Sequence, residues 1–300
     1  MTEESDARAA LATIPVLADL EEPLVRLGGM TNRVYRAGAF CLRIPGPGTE
    51  EYIDRQNEAV AAHEAARADV SPEVVHVDPT TGVMVTRFID DAVTMSPEAF
   101  RERSGSPGRA GAAFRKLHDS GAVFPFRFEL FAMIDEYLRV LSTKDVALPD
   151  GYHDVVQEAG AIRMVLDERP QILKPCHCDP LCENFLDTGE RMWIVDWEYS
   201  GMNDPHWDLG DLSVEAAFDE AQDQEMMEAY FGRAPTPAEH GRVVVYKAMC
   251  DLLWTLWGLI QVANGNPAED FQAYAANRFT RCKALMNSPD FARHVAAVRG

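Results

Sequence analysis

The sequence predicts an α/β protein (α+β in arrangement) of two lobes. A small antiparallel-sheet lobe spans residues 1–88 and a larger, mainly helical lobe spans 89–300. Three observations predict this. The first part of the chain alternates short β-rich runs with Gly and Pro punctuation around one helical stretch. Beyond Phe88 the apolar residues recur at helical spacing. The length, 300 residues, suffices for one large domain or for two lobes.

The elements follow in order. Asp6 to Leu20, rich in Ala and Leu, is predicted as a helix. Leu24–Leu27, Val34–Arg36 and Phe40–Ile44 are predicted strands, the last two parted by Gly38. Tyr52 to Ala68 is helical in composition and is ended by Ser71-Pro72. Val74–Val77 and Val83–Thr86 are strands around the turn Pro79-Thr80-Thr81-Gly82. The lobe boundary falls near Phe88–Ala92. Arg109 to Asp119, Phe128 to Leu141, Tyr152 to Leu166 and most of Asp208 to Arg299 are predicted helices.

Composition excludes some classes of function. The formal net charge is −20, which disfavours nucleic acid and favours a cationic small molecule. The longest apolar run, Leu252 to Ala263, is interrupted by Thr255, Gly258 and Gln261, so no membrane insertion is expected. The N-terminus lacks a signal-peptide pattern, and a cytoplasmic location is expected. Cys176, Cys178 and Cys182 flank His177, but their spacing does not match a structural zinc site.

The chemistry concentrates at His177–Asn184, which reads His-x-Asp-x4-Asn, and at Asp196, which ends the apolar run Met192–Val195. Phosphoryl transfer needs a carboxylate to orient or deprotonate the attacking hydroxyl, and oxygen ligands for Mg²⁺. Asp179 can be the former. Asn184 and Asp196 can be the latter, because a hairpin turning at Asp187–Glu190 brings both to one end. His177 is read as a packing residue. Asp208, inside an apolar stretch, needs a buried partner, and the backbone around His177 is the natural one.

Other residues admit two readings. The turn Gly28-Gly29-Met30-Thr31-Asn32 lies between two strands, so it is neither a dinucleotide fingerprint nor a Walker loop. It is an ordinary turn, or one that lays backbone N–H groups over phosphates. Arg43 and Glu58 form either a surface ion pair or the strand cation and helix carboxylate of a kinase small lobe. Trp254 and Trp257, three apart on an apolar helix, are core residues or walls of a cage for a quaternary ammonium.

Taken together, these motifs resemble the choline/ethanolamine kinases, in particular the bacterial choline kinases of the LicA type. That family shares the aminoglycoside-phosphotransferase, protein-kinase-like fold. The resemblance rests on Gly28–Asn32, Leu42–Gly46, His177–Asn184, Val195–Tyr199 and Trp254–Trp257. It implies ATP and Mg²⁺ as cofactors and a small cationic alcohol, choline foremost, as substrate. Asp179 would be the catalytic base, and Asn184 and Asp196 the metal ligands. Arg43, paired with Glu58, would touch the phosphates beneath the Gly28–Asn32 turn. The adenine would lie against the Thr86–Ile89 connection, at Arg87 and Ile89. Tyr199, Trp254 and Trp257 would line the alcohol site, with Glu215 as a nearby carboxylate. Cys178 stands where the family commonly has Asn, and Cys182-Glu183 where small residues are common. Ethanolamine, an aminoglycoside or another alcohol on the same fold, or a catalytically silent ligand-binding member, are the competing expectations.

Overall fold

A computed structural model of the chain describes residues 3–28, 32–46 and 53–300. Five strands, β1 (Leu24–Gly28), β2 (Arg33–Ala37), β3 (Phe40–Ile44), β4 (Val74–Val77) and β5 (Met84–Arg87), form one antiparallel sheet in the order β1-β2-β3-β5-β4. Helix α1 (Glu3–Ala12) precedes the sheet, and α2 (Arg55–Arg67) connects β3 to β4. Asp54 caps α2 by accepting the N–H groups of Gln56 and Asn57 at 3.0 and 3.1 Å.

Side-chain alternation assigns the two faces of this sheet. Leu42 and Ile44 are buried against Leu11, Ile14 and Leu17. Cys41 and Arg43, between them, therefore face the other way. The helix expected over Asp6–Leu20 stops at Ala12. Pro15 is the reason, since it lacks an N–H and pushes its predecessor out of the helical region. Short turns bonded three residues apart, such as Leu17 N–H to Ile14 C=O at 2.8 Å, carry the chain onward.

The rest is mainly helical: α3 (Pro97–Glu102), α4 (Ser106–His118), α5 (Leu130–Leu141), α6 (Tyr152–Glu168), α7 (His206–Glu215), α8 (Glu220–Phe231), α9 (Pro237–Ala263), α10 (Phe271–Met286) and α11 (Phe291–Arg299). Short strands lie among them. β6 (Val93–Thr94), β8 (Phe185–Asp187) and β9 (Met192–Ile194) form one antiparallel sheet, and β7 (Lys174–Cys176) pairs with β10 (Gly201–Asn203).

Helix α9 is the spine of the larger core, which packs Leu252, Leu253, Leu256 and Leu259 against α5, α6 and α10. It begins with a capping box between Thr236 and Glu239 and has Pro237 in its first turn. This helix ends in the apolar run Leu252–Ala263. Its 27 residues are long and apolar enough to cross a membrane, but 78% of its most apolar window is buried inside the protein. Its apolar character thus belongs to a core helix.

Candidate active site

The loop after β7 is built around one carboxylate. Asp208 is fully buried at the start of α7. Its Oδ2 accepts the His177 N–H at 2.7 Å and its Oδ1 accepts the Cys178 N–H at 2.9 Å. His118 Nε2 lies 3.0 Å from Oδ2. Trp207 Nε1 donates to the Cys178 carbonyl at 3.0 Å, and Ser200 Oγ donates to the His177 carbonyl at 3.1 Å. His177 is 1% exposed, and Nε2 lies 2.9 Å from the Val195 carbonyl oxygen, so Nε2 carries the proton. Burial holds its imidazole below the usual pKa, favouring the neutral form. Cys178 has φ +68°, a left-handed conformation that costs a side chain such as this energy. The bonds from its N–H to Asp208 and to its carbonyl from Trp207 hold it there. Cys176, Cys178 and Cys182 are free and buried, and burial pushes their thiols up, away from the thiolate a metal would need.

Asp179 follows on this loop and is half-buried. Asn184 Nδ2 donates to the Asp179 carbonyl at 3.0 Å, and Asn184 Oδ1 has no hydrogen-bond partner among the described residues. The hairpin forms as expected, with Phe185 opposite Ile194, and Val195 N–H donates to Asn184 C=O at 2.9 Å. Asn184 and Asp196 therefore stand at the same end. Asp196 also has positive φ, +66°. Burial and the charges of Glu215, Asp196 and Glu198 hold the Asp179 carboxyl well above the ordinary carboxylate range, with Arg278 opposing them.

Facing this end is a cluster of charges from the five-stranded sheet and α2. Arg43 forms an ion pair with Glu58 and lies 2.8 Å from Asp196 Oδ1 and 3.8 Å from Glu198 Oε2. Arg55, in the first turn of α2, lies 2.8 Å from Glu58 and 3.2 Å from Glu198. Asn32 Nδ2 donates to Glu198 at 3.3 Å. Burial and Asp196 push Glu198 up to about 7. Gly82 (φ +73°) closes the β4–β5 turn over this cluster, and a Cβ there would meet Pro45 Cγ at 2.7 Å and Arg55 Cδ at 2.8 Å.

Sequence reasoning paired Arg43 with Glu58 and placed Asn32 nearby. It missed Arg55 and Glu198, although Arg55 lies one helical turn before Glu58. Gly28 ends β1, whereas Gly29, Met30 and Thr31 lie outside the described residues. Arg87 does not join the cluster. Its guanidinium lies over the Phe40 ring at 4.8 Å and 3.3 Å from Glu73, on the Phe40 face of β3 and away from Arg43. Ile89 is half-buried just beyond β5.

An aromatic group adjoins Asp179. Trp254 and Trp257 are 6.3 Å apart on α9, and Tyr199 stacks edge-on to Trp254 at 5.9 Å. Trp257 Nε1 donates to Tyr199 Oη at 3.3 Å. From α10, Phe271 and Tyr274 pack edge-on to Trp257 at 5.5 and 5.8 Å. Trp254 is 4% exposed, and its Nε1 donates to the Asp211 carboxylate at 3.2 and 3.3 Å. Trp257 is only half-buried. Phe271 and Tyr274 escaped the sequence reading, although they repeat the three-residue spacing of the tryptophans. Glu215, at the end of α7, pairs with Arg278 of α10. The charge of Glu215 acts on both Asp179 and Asp211. The arrangement thus combines a carboxylate at a loop, an amide and a carboxylate at one hairpin end, a cation cluster, and a packed aromatic cluster with Asp211 bonded to Trp254, and with Glu215 and Arg278 paired beside Tyr274.

Residues 24–243 match the family described as "Phosphotransferase enzyme family". Protein LicA of Haemophilus influenzae is 29% identical over 276 residues, covering 88% of this chain and 80% of that protein. The crystal structure of a choline/ethanolamine kinase family protein from Mesorhizobium loti is 70% identical, with a TM-score of 0.94 and 99% of each chain covered. The crystal structure of choline kinase LicA from Streptococcus pneumoniae, 23% identical with a TM-score of 0.78 over 98% of this chain and 99% of that one, shares the bilobal, kinase-like fold.

Proposed function

We infer that this chain, which belongs to the phosphotransferase enzyme family and within it to the choline/ethanolamine kinases, transfers the γ-phosphoryl group of ATP to the hydroxyl of a small cationic amino alcohol. Choline is the first candidate and ethanolamine the second. The observation that carries this reading is the enclosure of Tyr199, Trp254 and Trp257 beside Asp179 and Glu215. Aromatic faces with negative charge behind them suit a quaternary ammonium. An aminoglycoside calls for a more open acidic cleft. A silent, ligand-binding member has no need of Asp179, Asn184 and Asp196 together.

In this reading Asp179 accepts a hydrogen bond from the substrate hydroxyl and orients it, taking its proton as the hydroxyl oxygen bonds to the γ-phosphorus and the bond from that phosphorus to the leaving ADP oxygen breaks. The strained backbone at Cys178 is held by Asp208, which fixes where Asp179 points. The donor set fits Mg²⁺: Asp196 offers a charged carboxylate, and Asn184 offers Oδ1 because its amide nitrogen is engaged. When bound, Mg²⁺ neutralises charge on the phosphate oxygens. Arg43 contributes a second positive charge for the phosphates, and Glu58 keeps its guanidinium in place. Residues of Thr86–Ile89 would hold the adenine of ATP, with Arg87 contributing backbone, since its side chain is turned to Phe40. The reading places the enzyme in the cytoplasm.

Replacing Asp179 by Asn tests the assignment. The folded variant should bind ATP normally but lose roughly two to four orders of magnitude in kcat. Near-normal turnover would remove Asp179 as the base.

A further inference from the structure

A buried cation packs against Tyr274 of the aromatic cluster. Arg278 is 3% exposed, and its guanidinium lies over the Tyr274 ring at 4.5 Å. It forms an ion pair with Glu215 and approaches Asp251 at 3.3 Å. Asp251 has a second cation of its own, since Arg281 reaches both of its oxygens at 2.6 and 3.1 Å. Asp211 is engaged by Trp254 Nε1. Among the described interactions, Glu215 is the carboxylate of this group that relies on Arg278 alone. It also stands close enough to Asp179 and Asp211 for its charge to act on both.

We propose that Arg278 is a positioning residue that fixes the Glu215 carboxylate beside the aromatic enclosure and thereby gives the enclosure its preference for a positively charged head group. The proposal rests on the enclosure being the alcohol site. Its physical basis is repulsion. Without the cation that both contact, Glu215 and Asp251 push one another apart, and the more exposed of the two swings toward water. Glu215, at 13% side-chain exposure against 4% for Asp251, is the one with room to leave. The cation–π contact with Tyr274 and the pair with Glu215 also fix the Arg278 plane, so a flexible Lys is a poor substitute.

The test compares choline with 3,3-dimethylbutan-1-ol, a neutral isostere in which carbon replaces nitrogen. KM is measured for choline and ATP, and the isostere is measured by turnover or by competition against choline. Arg278→Met should raise the choline KM roughly 3- to 10-fold, the size of one partly screened charge contact, and leave the isostere and ATP within about 2-fold. Arg278→Lys should shift choline the same way by less, and it keeps the test available if the Met variant folds poorly. In the double variant Arg278→Met/Glu215→Gln, the choline KM should equal that of Glu215→Gln alone, as expected if one residue acts through the other. The assignment is overturned if Arg278→Met tightens choline, if choline and isostere shift together, or if the two substitutions add. An inability of the wild type to phosphorylate choline or ethanolamine would overturn the substrate reading as well. Wild-type turnover with an unchanged choline KM in the Arg278 variants overturns this assignment alone.

Discussion

Asp208 holds Cys178 in a left-handed backbone conformation, accepting its N–H at 2.9 Å while φ stands at +68°. The second oxygen takes the neighbouring His177 N–H at 2.7 Å. One carboxylate therefore shapes the turn that presents Asp179.

Asp208→Asn should be costly for this reason. An amide can accept only one of the two N–H groups, and its NH₂ faces the other donor. The expected loss is about 3 kcal/mol of stability, with a fall in kcat in the protein that remains folded. Urea unfolding checks the first and initial rates the second. A variant as stable and as active as the wild type would show that the turn holds itself.

Asp187 supplies a pH-dependent contribution to stability. It is fully buried on β8, with Arg109 and Arg103 each 2.7 Å from Oδ2. Although burial opposes it, hydrogen bonding to Arg109 and then Arg103 lowers its pKa to about 2 from 3.8. A depressed folded-state pKa gives stability that is full above the unfolded value and is lost as pH falls toward the folded one. The contribution, at most about 2 kcal/mol, should be present above pH ~4 and vanish by pH ~2. Asp187→Asn should therefore be less stable than the wild type at pH 7, and the gap should close over that window. A gap independent of pH between 5 and 2 would contradict the ion-pair origin.

The tryptophans should separate. Trp257 is half-buried, and Trp257→Ala should raise the choline KM roughly 2- to 30-fold with a small change in Tm. Trp254 is 4% exposed and bonded to Asp211, so Trp254→Ala should raise KM and also cost about 3–5 kcal/mol. Measuring KM for choline, KM for ATP and Tm on both variants distinguishes the roles. If only Tm falls in both, the pair is core and the argument for choline loses its aromatic basis.

Much of this was legible in the chain because it is local. The hairpin of β8 and β9 follows from apolar runs around Asp187–Glu190, and the helix of Arg55–Arg67 from its composition and the stop at Ser71-Pro72. Asp208 was legible from cost, because a carboxylate in an apolar stretch has to find donors. What stayed hidden is long-range. Glu198 meets Arg55 across 143 residues and Arg278 meets Glu215 across 63, and no periodicity encodes such partners. β7 and β10 are three-residue strands paired across the intervening residues 177–200, too short to stand out from loop. Arg87 is expected at the adenine from its place in the Thr86–Ile89 connection, but strand alternation sends its side chain to the Phe40 face.

Phosphoryl transfer from ATP to a small cationic alcohol can be measured on the intact protein. The most direct measurement supplies purified protein with ATP, Mg²⁺ and, one at a time, choline, ethanolamine, dimethylethanolamine and an aminoglycoside, and follows ATP consumption with identification of the phosphorylated product. The expected result is stoichiometric O-phosphorylation of choline with the highest kcat/KM of the panel, and ethanolamine next. Phosphorylation of the aminoglycoside alone, or no ATP consumption with any alcohol in the panel, would contradict it.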